Sequence, residues 1–262
     1  VSVHTNIRTL DALRTEFQIA DFAVTDAAAA AHYEKKHGSL ERFLHDTAAD
    51  IVVNGIAGAA GLQASLIAVR THRTLALANK ESIVMAGELL QKEAAKYGCT
   101  IIPVDSEHSA IYHLIAAHGR DRIARLILTA SGGPFRTWTR EQIQKATLED
   151  ALKHPTWTMG AKITVDSASL ANKALEVIEA VYLFGMSADR ITVAVHPSST
   201  VHSLVQLTGG EVYAQLSPPD MRNPIFSALT YPQEPPAYLT PLDFSKPFEL
   251  RFEPPRMQDF PL

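Results

Sequence analysis

Between residues 50 and 129, short β-branched runs alternate with longer amphipathic stretches, and this alternation constrains the fold more than any other feature. Residues 51–53, 74–78 and 100–104 have strand character, while 62–71 and 82–97 have helical periodicity, the second ended by Gly98. A chain that must cross over through a helix before re-entering the sheet lays its strands parallel, with right-handed crossovers. The alanine-rich segment 5–45 reads as helical around one strand at 22–24. After residue 123 the pattern changes. Residues 123–129 and 191–195 read as strands, and 201–207 and 211–216 flank Gly209 and Gly210 as a hairpin. The expected fold class is α/β, a parallel-sheet domain followed by an α+β domain.

The 262 residues are 46% hydrophobic, enough for a sizeable core. A net charge of -4 without a basic stripe argues against a nucleic-acid partner. No uninterrupted apolar window has the length of a membrane span, since 51–69 contains Asn54, Gln63 and several glycines. The single Cys99 excludes an internal disulfide and reads as a packed side chain. Eleven of the fifteen prolines lie at or beyond Pro218, which forbids long helices there and predicts an extended connector over 232–262, poorly anchored after Pro232 unless it packs on a neighbouring subunit.

Candidate chemistry starts at IIPVDSEHSAI, residues 101–111. The strand delivers Asp105 and Glu107 to the point where a helix begins, the edge at which open α/β sheets bind ligands. Two such acids can hold a hard divalent cation; they can equally cap the helix and favour its positive end. A second stretch, 154–179, begins as a loop with His154, Trp157 and Gly160. It continues as a helix carrying Ser167, Ser169, Asn172, Lys173, Glu176 and Glu179. Ser169, Asn172 and Glu176 would share one face with Lys173 beside them, a set suited to a phosphate next to a metal, or to a solvated face with an internal ion pair. Gly55, Gly58 and Gly61 have GxxGxxG spacing after a strand, a weak phosphate-loop signal.

The runs ALANKESIV (76–84), PVDSEHSAI (103–111), LTASGGPFR (128–136), HPTWTMGAKITVDSASLANKALEVIEA (154–180) and HPSSTVHSLV (196–205) resemble the 1-deoxy-D-xylulose 5-phosphate reductoisomerase family, in the family's order. The resemblance implies a Rossmann-like NADPH-binding domain over 1–104, incomplete here, and a catalytic domain over 105–231. It implies Mg2+ or Mn2+ on Asp105, Glu107 and Glu176, and catalytic roles for Lys80, Glu107 and His154. Substrate contacts are implied for Lys80, Ser106, Glu107, Ser131, His154, Ser167, Asn172, Lys173 and Glu176. NADPH contacts are implied for Asn6, Asn79, Glu81 and Gly160, with the Gly55–Gly61 loop contributory. Trp157 and Met159 would form an apolar lid, and His196 and His202 read as structural. The implied partner is a small sugar phosphate, the implied assembly a homodimer, and the location bacterial cytoplasm, or a plastid-type organelle in a eukaryote.

Three departures qualify this resemblance. No GSTGSIG-type loop precedes Val1, no helical domain follows the proline-rich stretch, and Ala174 stands where the family places glycine. The chain is therefore expected to be a central fragment that binds NADPH weakly and is inactive. The alternative function is a non-catalytic fragment retaining only the metal and phosphate site.

Overall fold

A computed structural model describes residues 1–31, 33, 39–233 and 240–260. The chain opens with β1 (Ser2–Val3), α1 (Ile7–Phe17), β2 (Ala23–Val24), α2 (Ala27–Ala30) and α3 (Leu40–Asp46), with β1 and β2 parallel. Then come β3 (Ile51–Asn54), α4 (Gly61–Arg70), β4 (Thr74–Leu77), α5 (Lys80–Tyr97) and β5 (Ile101–Pro103). The strands pair in parallel in the order β3-β4-β5, as the alternation requires. Their core is formed by Val69, Leu75, Ile83 and Leu90, all fully buried, under α4 and α5.

The second half runs α6 (Ser106–His118), β6 (Ile123–Ala130), α7 (Arg140–Ile143), α8 (Leu148–Ala151), α9 (Ala161–Ala168), α10 (Ala171–Phe184), β7 (Ile191–Val195), β8 (Val201–Leu207), β9 (Val212–Leu216) and α11 (Arg222–Thr230). Its sheet has the order β7-β6-β8-β9, with β6 parallel to β7 and antiparallel to β8. Leu126, Leu128 and Val205 from the sheet pack with Ile111 of α6 and Ala180 and Phe184 of α10. Helices α5 and α10 pack directly on each other. A Cβ at Gly87 would collide with the Tyr182 ring, and α5 kinks at the neighbouring Ala86, so the small residue lets the two helices approach.

Two expectations need correction. The polar helix anticipated across 167–179 is two helices: the chain breaks at Ser169 and Leu170, the latter at φ 63°. The left-handed residue redirects α10, and its side chain is held in the cluster of Phe135, Ala168 and Phe260. Ser169 therefore leaves the shared face, and its hydroxyl bonds the Asp166 main-chain oxygen instead. Over its described residues 240–260 the proline-rich tail is also anchored rather than loose. Glu253 bridges Val195 through two main-chain hydrogen bonds of 2.8 and 2.9 Å, Phe252 stacks on His196, and Phe260 is buried beside Phe135. Arg256 donates to the main-chain oxygens of Phe135 and Trp138. No helix among the described residues is long and apolar enough to cross a membrane.

Candidate active site

Three helices begin at one cavity of about 300 Å3. Lys80 is the first residue of α5, whose cap Asn79 accepts from Ser82 N at 2.9 Å. Asp105 caps α6 with one oxygen, Oδ1, which accepts from the main-chain N of Glu107 and His108. Its other oxygen, Oδ2, faces Lys80 Nζ at 3.2 Å. The cap and the site are thus served by the two halves of one carboxylate. Helix α10 brings Asn172, Lys173 and Glu176 in from the opposite side, and its axis starts at the same cavity. The positive ends of the three helices favour anions here.

The acids and lysines interleave. Lys80 Nζ lies 2.7 Å from Asn172 Oδ1 and 3.3 Å from Glu176 Oε1; Lys173 Nζ lies 2.6 Å from Glu107 Oε1 and also contacts Glu176 Oε2. Asn172 donates to Glu176 at 2.5 Å. Carboxylate oxygens of Asp105, Glu107 and Glu176 fall within 4.8 Å of one another. Burial lowers the proton affinity of Lys80, but Glu176 and Asp105 outweigh it and hold the ammonium well above its ordinary value. Lys173 is raised in the same way. Burial pushes Glu176 up, and Asp105 and Glu107 add to the rise, beyond what the lysines reverse. For Asp105, burial acts upward, but Lys80 and His108 hold the group well below its ordinary range. Three carboxylates in so small a space, all oxygen donors, fit a hard divalent cation.

The opposite wall is made of hydroxyls and a loop. Ser131 follows the last residue of β6, and its Oγ sits 2.9 Å from His154 Nε2. His154 Nδ1 accepts from the main-chain N of Thr156 and Trp157, so the proton is on Nε2 and the ring is neutral. Burial keeps its proton affinity below the ordinary value, in agreement. Trp157, Met159 and Ser167 line the same cavity. Gly132 and Gly133 follow Ser131 with φ of 84° and 67°, and a Cβ at Gly133 would strike the Ser167 main-chain oxygen.

All nine residues expected to contact substrate line this cavity, whereas Asn6, Asn79, Glu81 and Gly160 do not. Asn6 caps α1 and Gly160 precedes α9. The Asn79 amide is turned inward, donating to the main-chain oxygens of Ile56 and Gly58 and thereby holding the glycine loop. Behind it, Asn54, Ser65 and Ser82 form a buried hydrogen-bond chain. Glu81 pairs with Lys162 of α9 at 3.1 Å, whereas its sequence neighbour Lys80 pairs with Asp105 and Glu176. His196 and His202 are buried and hydrogen-bonded within the scaffold. Two buried groups lie beside the site: His108, which the sequence reading passes over, and Glu179, which it places on the polar helix without a role; both lie in the runs quoted above.

Family models for the reductoisomerase match residues 1–87, for its C-terminal domain 101–184, and for a second C-terminal domain 216–262. The chain is 53% identical over 262 residues to the 1-deoxy-D-xylulose 5-phosphate reductoisomerase of Treponema denticola, covering all of this chain and 69% of that protein. The chain belongs to the 1-deoxy-D-xylulose 5-phosphate reductoisomerase family. The family enzyme of Treponema pallidum is 57% identical over 96% of this chain and 66% of its own length. The chain thus spans about two thirds of these relatives. A crystal structure of DOX-P reductoisomerase in complex with NADPH, fosmidomycin and magnesium superposes with a TM-score of 0.90 at 40% identity, covering 99% of this chain and 69% of that one. The Zymomonas mobilis enzyme in complex with NADPH gives 0.88 at 36% identity, covering 99% and 70%.

Proposed function

We propose that this chain carries the NADPH- and divalent-metal-dependent rearrangement and reduction of 1-deoxy-D-xylulose 5-phosphate to 2-C-methyl-D-erythritol 4-phosphate, a step toward isoprenoids. One observation carries the reading: Asp105, Glu107 and Glu176 converge beside Lys80 and Lys173 in a cavity walled by Ser131 and Ser167. Magnesium and NADPH in the complex of the similar enzyme support it. We assign Mg2+ or Mn2+ to the three acids. Gly55 and Gly58 leave their main chain open to approach, which suits a cofactor beside the loop that Asn79 holds; Asn6, Glu81 and Gly160 are assigned to it as well. When bound, the cation supplies Lewis-acid polarisation and NADPH a hydride.

The chain's own groups then divide the remaining work. Lys80, held protonated by its acids, donates to a substrate oxygen, and Glu107 accepts the hydroxyl proton as the carbon skeleton cleaves and returns one to the alkoxide formed as the skeleton re-joins. Ser131, Ser167, Asn172 and Lys173 hold the phosphate, and Ser106 orients the sugar. His154 donates its Nε2 proton from a loop whose Trp157 and Met159 exclude water. The protein is assigned to the cytoplasm as a homodimer. Incubating it with the sugar phosphate, NADPH and Mg2+ and following reduced nicotinamide together with product mass tests the activity; absence of metal-dependent product would refute it.

A further inference from the structure

A buried group lies on the far side of Asp105 from the cavity. His108 is 0% exposed and Glu179 3% exposed, and neither lines the cavity. His108 Nε2 lies 2.9 Å from the Glu176 main-chain oxygen, which can only accept, so this nitrogen carries a proton. Nδ1 points between two carboxylates, 3.3 Å from Asp105 Oδ1 and 3.7 Å from Glu179 Oε2. One ring therefore touches the acid that caps α6 through its side chain and an acid of α10 through its main chain. Glu179 approaches from the same helix as Glu176, one turn on, where residues three apart share a face.

The hydrogen bonding is incomplete. Glu179 Oε2 has no donor and His108 Nδ1 makes no aligned hydrogen bond among the described residues. A carboxylate buried in this way is costly, and an apolar side chain of similar volume would cost less, so stability alone does not explain Glu179.

We propose that Glu179 is a positioning residue: it fixes the His108 ring between α6 and α10 and, through that ring, sets Asp105 relative to Glu176. The proposal rests on the reading that Asp105, Glu107 and Glu176 bind a divalent cation. Groups that orient ligating carboxylates influence metal affinity without touching the metal.

Mn2+ binding, followed by loss of the free-ion paramagnetic resonance signal, separates the two. Binding by the wild type that is lost in Asp105→Asn establishes the cation reading; a wild type that binds nothing removes that reading and the proposal together. Given binding, Glu179→Gln is expected to weaken it about 10-fold, with turnover restored by raising Mn2+. The double variant with His108→Gln should bind no more weakly than the weaker single variant. An unchanged Mn2+ constant, additive losses, or turnover that metal does not restore overturns the proposal. So does a stoichiometry of two ions per chain with one lost in His108→Gln, because the group would then ligate rather than position. If Glu179→Gln fails to fold, Glu179→Asp gives the same comparison, keeping the charge while withdrawing the oxygen from Nδ1; wild-type affinity there refutes the role.

Discussion

Lys173 is held by two acids at once, and its removal acts on both stability and substrate. It is buried between Glu107 and Glu176, so Lys173→Ala leaves two carboxylates without their nearest cation. Breaking a buried pair from one side costs on the order of 3–5 kcal/mol. Urea denaturation should register that loss. Where the variant still folds, it lacks the charged contact to phosphate proposed for Lys173, worth about 1.5–3 kcal/mol, so the Michaelis constant for the sugar phosphate should rise at least tenfold. A constant equal to the wild type's would remove Lys173 from the phosphate site. Lys80 differs in its partners. It is tied to Asp105, Asn172 and Glu176, so Lys80→Met is expected to weaken turnover more than phosphate affinity, which the ratio of kcat to KM effects will reveal.

The loop from His154 to Gly160 is an element whose order depends on one proton. Nδ1 of His154 must be unprotonated to accept from Thr156 and Trp157. Because burial lowers the folded value below the ordinary 6.5, the unfolded form takes up a proton first as pH falls. The stability this ring contributes is therefore fully present above 6.5, declines as pH drops below it and levels off once the folded ring also protonates; loop order is lost as that folded ring takes up its proton, below 6.5. Ring 15N shifts of His154 and substrate KM should move together over that range. A KM that stays flat while the ring titrates would disconnect the loop from binding. The turn at Gly133 is the companion element. Its φ of 67° costs a side chain about 1–2 kcal/mol, and a Cβ there also meets the Ser167 main-chain oxygen. Gly133→Ala should thus destabilise the fold by at least that amount and displace the Ser167 wall, seen as weaker binding of sugar phosphate.

On the scale of the molecule, the tail acts as a strap across the second sheet. Arg256 meets the main-chain oxygens of Phe135 and Trp138, and Phe260 fills the cluster that also holds Leu170 at the break before α10. Arg256→Ala is expected to lower stability by about 1–3 kcal/mol, since charged hydrogen bonds to buried acceptors are lost. Limited proteolysis should then cut first near the tail; an unchanged digestion pattern would mean that the strap holds without Arg256. A cation that binds only the folded site adds stability by mass action, about 2.7 kcal/mol at one hundred times its dissociation constant. Thermal scans with increasing Mg2+ should show that rise in the wild type and its absence in Asp105→Asn.

Local features were legible from the residues alone. The parallel order β3-β4-β5 follows from the alternation of β-branched and helical runs, and the start of α6 follows from Asp105 as a capping acid after a strand. The quoted runs also contain every residue that lines the cavity except Met221, because a motif keeps chemistry at fixed spacing along the chain. Contacts across the chain were not legible. Lys80 meets Glu176 over 96 positions and Lys173 meets Glu107 over 66, so pairing with a sequence neighbour could not be told from pairing across the fold. The break at Leu170 was hidden because helical periodicity continues through it; only the packing of its side chain with Phe135 and Phe260 favours a left-handed residue there. The tail's anchoring and the burial of His108 and Glu179 belong to the same class. A residue's period and capping depend on its neighbours in sequence, whereas its burial and partner depend on which distant segment the folded chain returns to its side.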